Sequence, residues 1–226
     1  MTRAATFCNS YNLQVFCFQL ICNNNLSYFR AWPDIDSIDH KWRGIEKPFF
    51  QLLLAKNVFH TQADGGSWIK VEDAIFQGQA EGQQNDLLLR VLLSVGLPAV
   101  TVPSHVRSAL DRYIADQTEI KPPLIRRVLR QEPSCYTKLD RKEKLFLLQF
   151  CLSDRNFSDL GGLQLLPLSN GQFAKFENRA TTIYIASPEH PQELFPGLSD
   201  RFLDKTVEDN ILVYLQAAAF KGIVRT

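Results

Sequence analysis

Apolar residues recur at three- and four-residue steps through Trp42, Ile45, Phe49, Leu52 and Leu53. That is one face of a 3.6-residue period and predicts a helix over residues 37–56, capped by Ser37 and kinked or broken at Pro48. The same spacing in Leu87, Leu88, Val91, Leu92 and Val95 predicts a helix over 86–95, with Asn85 or Asp86 at its start and Gly96 at its end. Val106, Leu110 and Ile114 share the face of a helix opened by Pro103-Ser104, and Pro122-Pro123 opens another over 124–130. A helix over 140–152 presents Leu145, Leu148 and Leu152, flanked by Phe146 and Phe150, and residues 207–220 read as a closing helix.

Between these helices lie short runs of strand character. Val58-Phe59-His60-Thr61 and Ser67-Trp68-Ile69-Lys70-Val71 flank Asp64-Gly65-Gly66, a turn in which glycine accepts positive φ. Glu72-Asp73-Ala74-Ile75-Phe76 is expected to begin a short helix, and Gly78 and Gly82 to bracket a polar loop. Ala99-Val100-Thr101-Val102 reads as a buried strand. Leu163-Gln164-Leu165-Leu166-Pro167-Leu168 and Gln172-Phe173-Ala174-Lys175-Phe176 flank Asn170-Gly171, the signal of a type I′ hairpin turn, and Ile183-Tyr184-Ile185-Ala186 is a third strand. Tight glycine turns make strands antiparallel, so the expected class is α+β: helices packed on short antiparallel strands and glycine-turn hairpins.

Residues 1–36 differ from the rest. They are dense in Asn and Cys, and Trp32-Pro33-Asp34 interrupts regular structure; they read as an atypical N-terminal segment or the tail of a preceding domain. Residues 37–226 form the α+β region, with two sub-units expected near 37–118 and 119–226.

Composition narrows the function classes. With 45% hydrophobic and 22% charged residues the chain is globular in composition, and a net charge of +1 supplies no global field for nucleic acid or an anionic membrane. The apolar stretch over 13–22 is too short to cross a bilayer, which takes about 20 residues, so no membrane insertion is expected. Five cysteines (Cys8, Cys17, Cys22, Cys135, Cys151) form no C-x-x-C pair. An odd, irregularly spaced set suits reduced thiols in the cytoplasm or nucleus rather than a disulfide framework. The four histidines (His40, His60, His105, His190) are scattered, so no metal site is expected.

Catalytic patterns are missing as well. There is no phosphate-binding loop and no nucleophile elbow, and Gly161-Gly162 precedes a strand, where it reads as a turn. Cys151 lies among Leu148, Phe150 and Leu152 and reads as a structural thiol; Cys135, after Pro133-Ser134, is the candidate for a thiol-dependent enzyme. The acidic pairs Asp34/Asp36, Glu72/Asp73 and Glu208/Asp209 offer little for acid–base work, the last two reading as helix N-terminal charge. Arg126, Arg127, Arg130, Lys138, Arg141, Lys142 and Lys144 form the clearest charge cluster, diluted by Glu132, Asp140 and Glu143, and read as a solvated helix face rather than an anionic-partner surface. Trp68, Phe173 and Phe176 are expected in the core. These residues assign no catalytic, cofactor or metal site.

Two blocks carry a resemblance. Trp68-Ile69-Lys70-Val71-Glu72-Asp73-Ala74-Ile75-Phe76, preceded by Val58-Phe59-His60-Thr61 and Gly65-Gly66, resembles a recurring block of the sacsin family. So does Leu165-Leu166-Pro167-Leu168-Ser169-Asn170-Gly171-Gln172-Phe173, preceded by the helical segment 144–154. From about Trp42 onward the order of elements is similar to the sacsin internal repeat region, downstream of a GHKL-type ATPase module. That module would show a helix bearing Glu and Asn and an Asp-x-Gly-x-Gly loop; this sequence shows neither, so no nucleotide site or cofactor carries over. The resemblance implies one piece of a large cytoplasmic co-chaperone. Its role would be protein folding or client holding, its partners client proteins or chaperone machinery. A passive structural spacer is the alternative, and a thiol-dependent enzyme a weaker one.

Overall fold

The structure is a computed structural model; it describes residues 47, 51, 55–77, 83–102, 104–114, 117–156, 159–176, 183–186, 192–207, 211–213 and 224–225. Lys47 and Gln51 are helical, and the rest of the helix expected over 37–56 lies outside the described residues, as do the loop of Gly78 and Gly82 and most of the helix expected over 207–220. The chain clusters into two compact units that interleave in sequence: the described residues up to Gln77 with Gly96–Glu119, and Gly78–Val95 with those from Ile120 onward.

In the first unit, β1 (Phe59–Thr61) and β2 (Ser67–Ile69) form the antiparallel hairpin, with Phe59 opposite Ile69 and Thr61 opposite Ser67. A short 3-10 turn over Ala63–Gly65 joins them, and Gly65 and Gly66 stand at φ 85° and 93°. The segment after the hairpin departs from expectation. Only Val71–Asp73 is helical, as one 3-10 turn, and Ile75–Phe76 is a strand, β3. It is the central strand of a three-stranded sheet with β4 (Ala99–Val100) and β5 (Thr118–Glu119), parallel to both. Helices make the two crossovers: α1 (Gln83–Ser94), which belongs to the second unit, leads from β3 to β4, and α2 (Ser104–Tyr113) leads from β4 to β5. Helical crossovers impose parallel pairing, so a rule drawn from glycine turns alone misses this sheet. The α+β class holds, with parallel strands added to antiparallel ones.

Phe59, Ala74, Phe76, Val100, Val106 and Leu110 form the core of this unit, with Phe59 and Phe76 edge to face at 5.0 Å. The buried Thr61 hydroxyl donates to Ala99 O at 3.0 Å, tying hairpin to sheet. Arg107, 8% exposed, donates from Nε to Asp111 at 3.0 Å, from Nη1 to Gln77 O at 3.3 Å and from Nη2 to Glu119, and its guanidinium lies 6.0 Å from the Phe76 ring centroid.

The second unit packs α1 against α3 (Pro122–Gln131), α4 (Ser134–Thr137) and α5 (Arg141–Leu152). Leu87, Leu88, Val91 and Leu92 of α1 are buried, as the periodicity predicts. Pro122 and Pro123 occupy the first positions of α3, where the missing N–H costs nothing. Asp140 caps α5 in a reciprocal box: its carboxylate accepts from Glu143 N at 2.9 Å, and Glu143 accepts from Asp140 N at 3.0 Å. The buried side of α5 is Leu147, Leu148, Cys151 and Leu152, so Leu145 lies off the core face and Leu147 takes its place.

β6 (Leu166–Pro167) and β7 (Phe173–Ala174) pair antiparallel. Their turn is not type I′. Gly171 stands at φ 84° while Asn170 keeps negative φ; Gly171 N donates to Leu168 O at 3.0 Å and Leu168 N to Gln172 O at 2.9 Å. This is a three-residue loop with a single left-handed glycine. β8 (Ile183–Tyr184) pairs parallel with β9 (Val224–Arg225).

Candidate functional site

The residues singled out from sequence do not converge on one site. Cys135 lies in the single-turn α4, half-buried, and burial pushes its thiol up to about 11; a backbone hydrogen bond offsets part of this, and the Glu132 charge adds to it. Burial thus disfavours the thiolate, the form that a thiol nucleophile needs. Cys151 is buried in α5 and pushed up to about 12 by desolvation, against the partial relief of Arg126. Among the described residues no group of His, Cys, Asp and Glu could hold a metal ion, and no helix is long and apolar enough to cross a membrane.

The basic cluster is a solvated face only in part, because its members turn to different partners. Arg126 is fully buried and makes two 2.8 Å bonds to the Asp154 carboxylate and one of 2.6 Å to Cys151 O. Arg130 reaches the Asp159 carboxylate at 3.6 Å, Arg141 pairs with Asp204, and the Lys144 ammonium lies 5.2 Å from the Phe173 ring centroid. Arg127, Arg130, Lys138 and Lys142 are exposed, Arg141 and Lys144 are half-buried, and Arg126 is buried. Phe176 is buried as expected, but Trp68 is not: it stays 38% exposed and packs edge-on to His60 at 5.2 Å, its cross-strand partner. Glu72 and Asp73 are exposed on the 3-10 turn; Asp34, Asp36, Glu208 and Asp209 lie outside the described residues. Gly162, at φ 84°, donates to Phe176 O at 2.9 Å in a turn.

A different surface emerges in the second unit. After β8 the chain forms two 3-10 turns, Gln192–Leu194 and Pro196–Arg201. Pro196 and Gly197 break regular pairing, so apolar side chains there have no strand face to turn inward. Leu194 is 67% exposed, Phe195 40% and Leu198 37%. Beneath them Phe195 stacks on the buried Phe202 at 6.1 Å, and Phe202 lies 5.7 Å from Tyr184. Backbone bonds hold the ridge: Ser169 N donates to Phe202 O and Leu203 N to Tyr184 O, both at 2.9 Å, and Asp204 N donates to Pro167 O at 3.1 Å. The Ser169 hydroxyl adds a bond to Ser199 O at 2.8 Å.

Beside the ridge opens a cleft of about 340 Å³ lined by Ser169, Glu193, Pro196, Asp204 and Lys205. Lys205 pairs with Glu193 and holds its carboxyl below the ordinary range. Burial alone would raise Asp204, but the hydroxyl and amide of Thr206 and the Arg141 guanidinium outweigh it and hold the carboxyl low. The arrangement combines apolar contact area with a charged, largely paired floor. Sequence periodicity passes over it, since residues 192–206 have neither helical nor strand period. A faint signal was present in Leu194-Phe195-Pro196-Gly197-Leu198, an apolar run broken by two turn formers.

The chain is 32% identical over 199 residues to human Sacsin, an overlap covering 84% of this chain and 4% of that protein. This is a sacsin-like chain. No family model matches it, and no solved structure does so either. In the sacsin-like chain, the two sequence blocks that carry the resemblance form β2 with β3 and β6 with β7. They are hairpin and sheet elements that fix local geometry.

Proposed function

We propose that this sacsin-like chain is a non-catalytic segment of a cytoplasmic co-chaperone, belonging to the internal repeat region downstream of an ATPase module, and that it contributes to protein folding by holding client polypeptide. The exposed ridge of Leu194, Phe195 and Leu198 carries this reading. Large apolar side chains left exposed within a few residues of one another offer contact to the apolar segments of an unfolded client. The raised thiol of Cys135 weighs against the enzyme alternative.

The test is suppression of light scattering from a heat-stressed model client, without nucleotide, by the folded, monomeric chain. Suppression near stoichiometric ratio, absent with an inert protein of equal size, supports client holding. Scattering unchanged by the chain favours a passive spacer.

A further inference from the structure

We propose that Thr206 is a phosphorylation site whose phosphate is received by Arg141 at the start of α5. Thr206 is exposed, and Arg141 Nη2 already donates to its Oγ1 at 3.2 Å from 65 residues away in sequence. The same guanidinium pairs with Asp204, to whose Oδ1 the Thr206 hydroxyl donates at 2.7 Å. An acceptor hydroxyl already bonded to a guanidinium lies where a phosphate gains a charge-assisted hydrogen bond. Lys205, adjacent in sequence and exposed, is paired with Glu193 and is a second cation that could turn to the new charge. In sequence the threonine is followed by Glu208 and Asp209 and preceded by Asp204. Carboxylates on the C-terminal side of an acceptor suit a protein kinase with a basic substrate groove.

In the transfer, a P–O bond forms to Thr206 Oγ1 as the bond from the γ-phosphorus of a nucleoside triphosphate to the departing diphosphate breaks. The hydroxyl proton passes to the kinase's base. The product carries about −1.5 to −2 charges at neutral pH. It repels the Asp204 carboxylate and competes with it for Arg141. The Arg141–Asp204 clasp, which joins α5 to the segment after Phe202, exchanges one anion for another. Asp204 is left as surplus negative charge on the cleft wall. This proposal is independent of client holding, because it concerns the modification and the cation that receives it.

The whole chain, incubated with such a kinase and ATP, is mapped by mass spectrometry, and the phosphate is titrated by phosphorus NMR. Phosphate is expected on Thr206 and lost in T206V. Its second ionisation is expected below about 6, moving upward in R141Q and less in K205Q. Circular dichroism checks that each variant is folded. No phosphate at Thr206 in the folded chain overturns the proposal. So does a midpoint that R141Q leaves in place, or one that K205Q moves and R141Q does not.

Discussion

Arg126 and Asp154, 28 residues apart in sequence, meet as a two-point ion pair in which both Nη–Oδ distances are 2.8 Å and the guanidinium is fully buried. The pair joins α3 to the turn that ends α5, and the third bond, to Cys151 O, closes the helix terminus. Asp154→Ala strands the buried guanidinium and is expected to cost about 3 kcal/mol; Arg126→Met leaves a partly solvated carboxylate that keeps its bond from Asn156 N, and is expected to cost less. The double variant is expected to cost less than the sum of the two, because neither charge is then left alone. Urea unfolding of the three proteins checks this, and strict additivity would show that the two side chains act separately.

Acid should weaken the same contact. Asp154 is held below the ordinary aspartate value of 3.8, first by its hydrogen bonds from Arg126, against a smaller opposing effect of burial. A carboxyl whose folded value is depressed contributes stability that is fully present above its unfolded value and lost as pH falls through the folded one. The melting temperature is expected to fall from about pH 4 downward. Asp154→Asn should show a lower plateau and a shallower fall; an identical acid limb in wild type and variant would remove Asp154 from the account.

Thiol labelling separates the enzyme alternative from the rest. With Cys135 raised to about 11 and Cys151 to about 12, both are expected to alkylate more slowly at neutral pH than a free cysteine peptide. Site-resolved mass spectrometry reads each cysteine separately. Labelling of Cys135 faster than the peptide would restore it as a nucleophile.

The apolar ridge predicts a separation of binding from stability. Leu194→Ser, Phe195→Ser and Leu198→Ser together are expected to abolish scattering suppression. Leu194→Ser should leave the melting temperature nearly in place, since that side chain is 67% exposed, whereas Phe195→Ser gives up its stacking on Phe202 and should lower it. Retained suppression in the triple variant would place client contact elsewhere.

The turn between β6 and β7 gives a discriminating pair of substitutions. Gly171 holds φ 84° with open space where a Cβ would stand, so Gly171→Ala is expected to cost about 1–2 kcal/mol from backbone conformation alone. Asn170 has negative φ, so Asn170→Ala should cost less, losing mainly its side-chain bond to Gln172 N at 3.0 Å. Equal costs in thermal unfolding would instead fit a turn with both residues left-handed.

Local chemistry made much of this legible in the sequence. The faces of α1 and α2, the proline start of α3, the Asp140 cap and the glycine turn before β2 each depend on residues within a turn or two of one another. Such interactions are written in spacing. Choices between distant partners had to be made by the fold. Ile75 and Phe76 could open a helix or form a strand, and only the approach of β4 and β5 on either side settled it. Arg126 carried the same composition signal as Arg127, yet one is buried against Asp154 and the other is exposed. The difference is rotation about a single helix, set by what packs against it. Leu194, Phe195 and Leu198 had core character by type and surface character by position, because a Pro-Gly turn leaves no regular face to turn inward. The sequence by itself determined the faces of the main helices, the first hairpin and the sacsin-like resemblance, because these rest on neighbours within a turn or two. Which side chains meet across 28 to 65 residues, and therefore where charge is buried and apolar surface left open, was decided only when those elements packed.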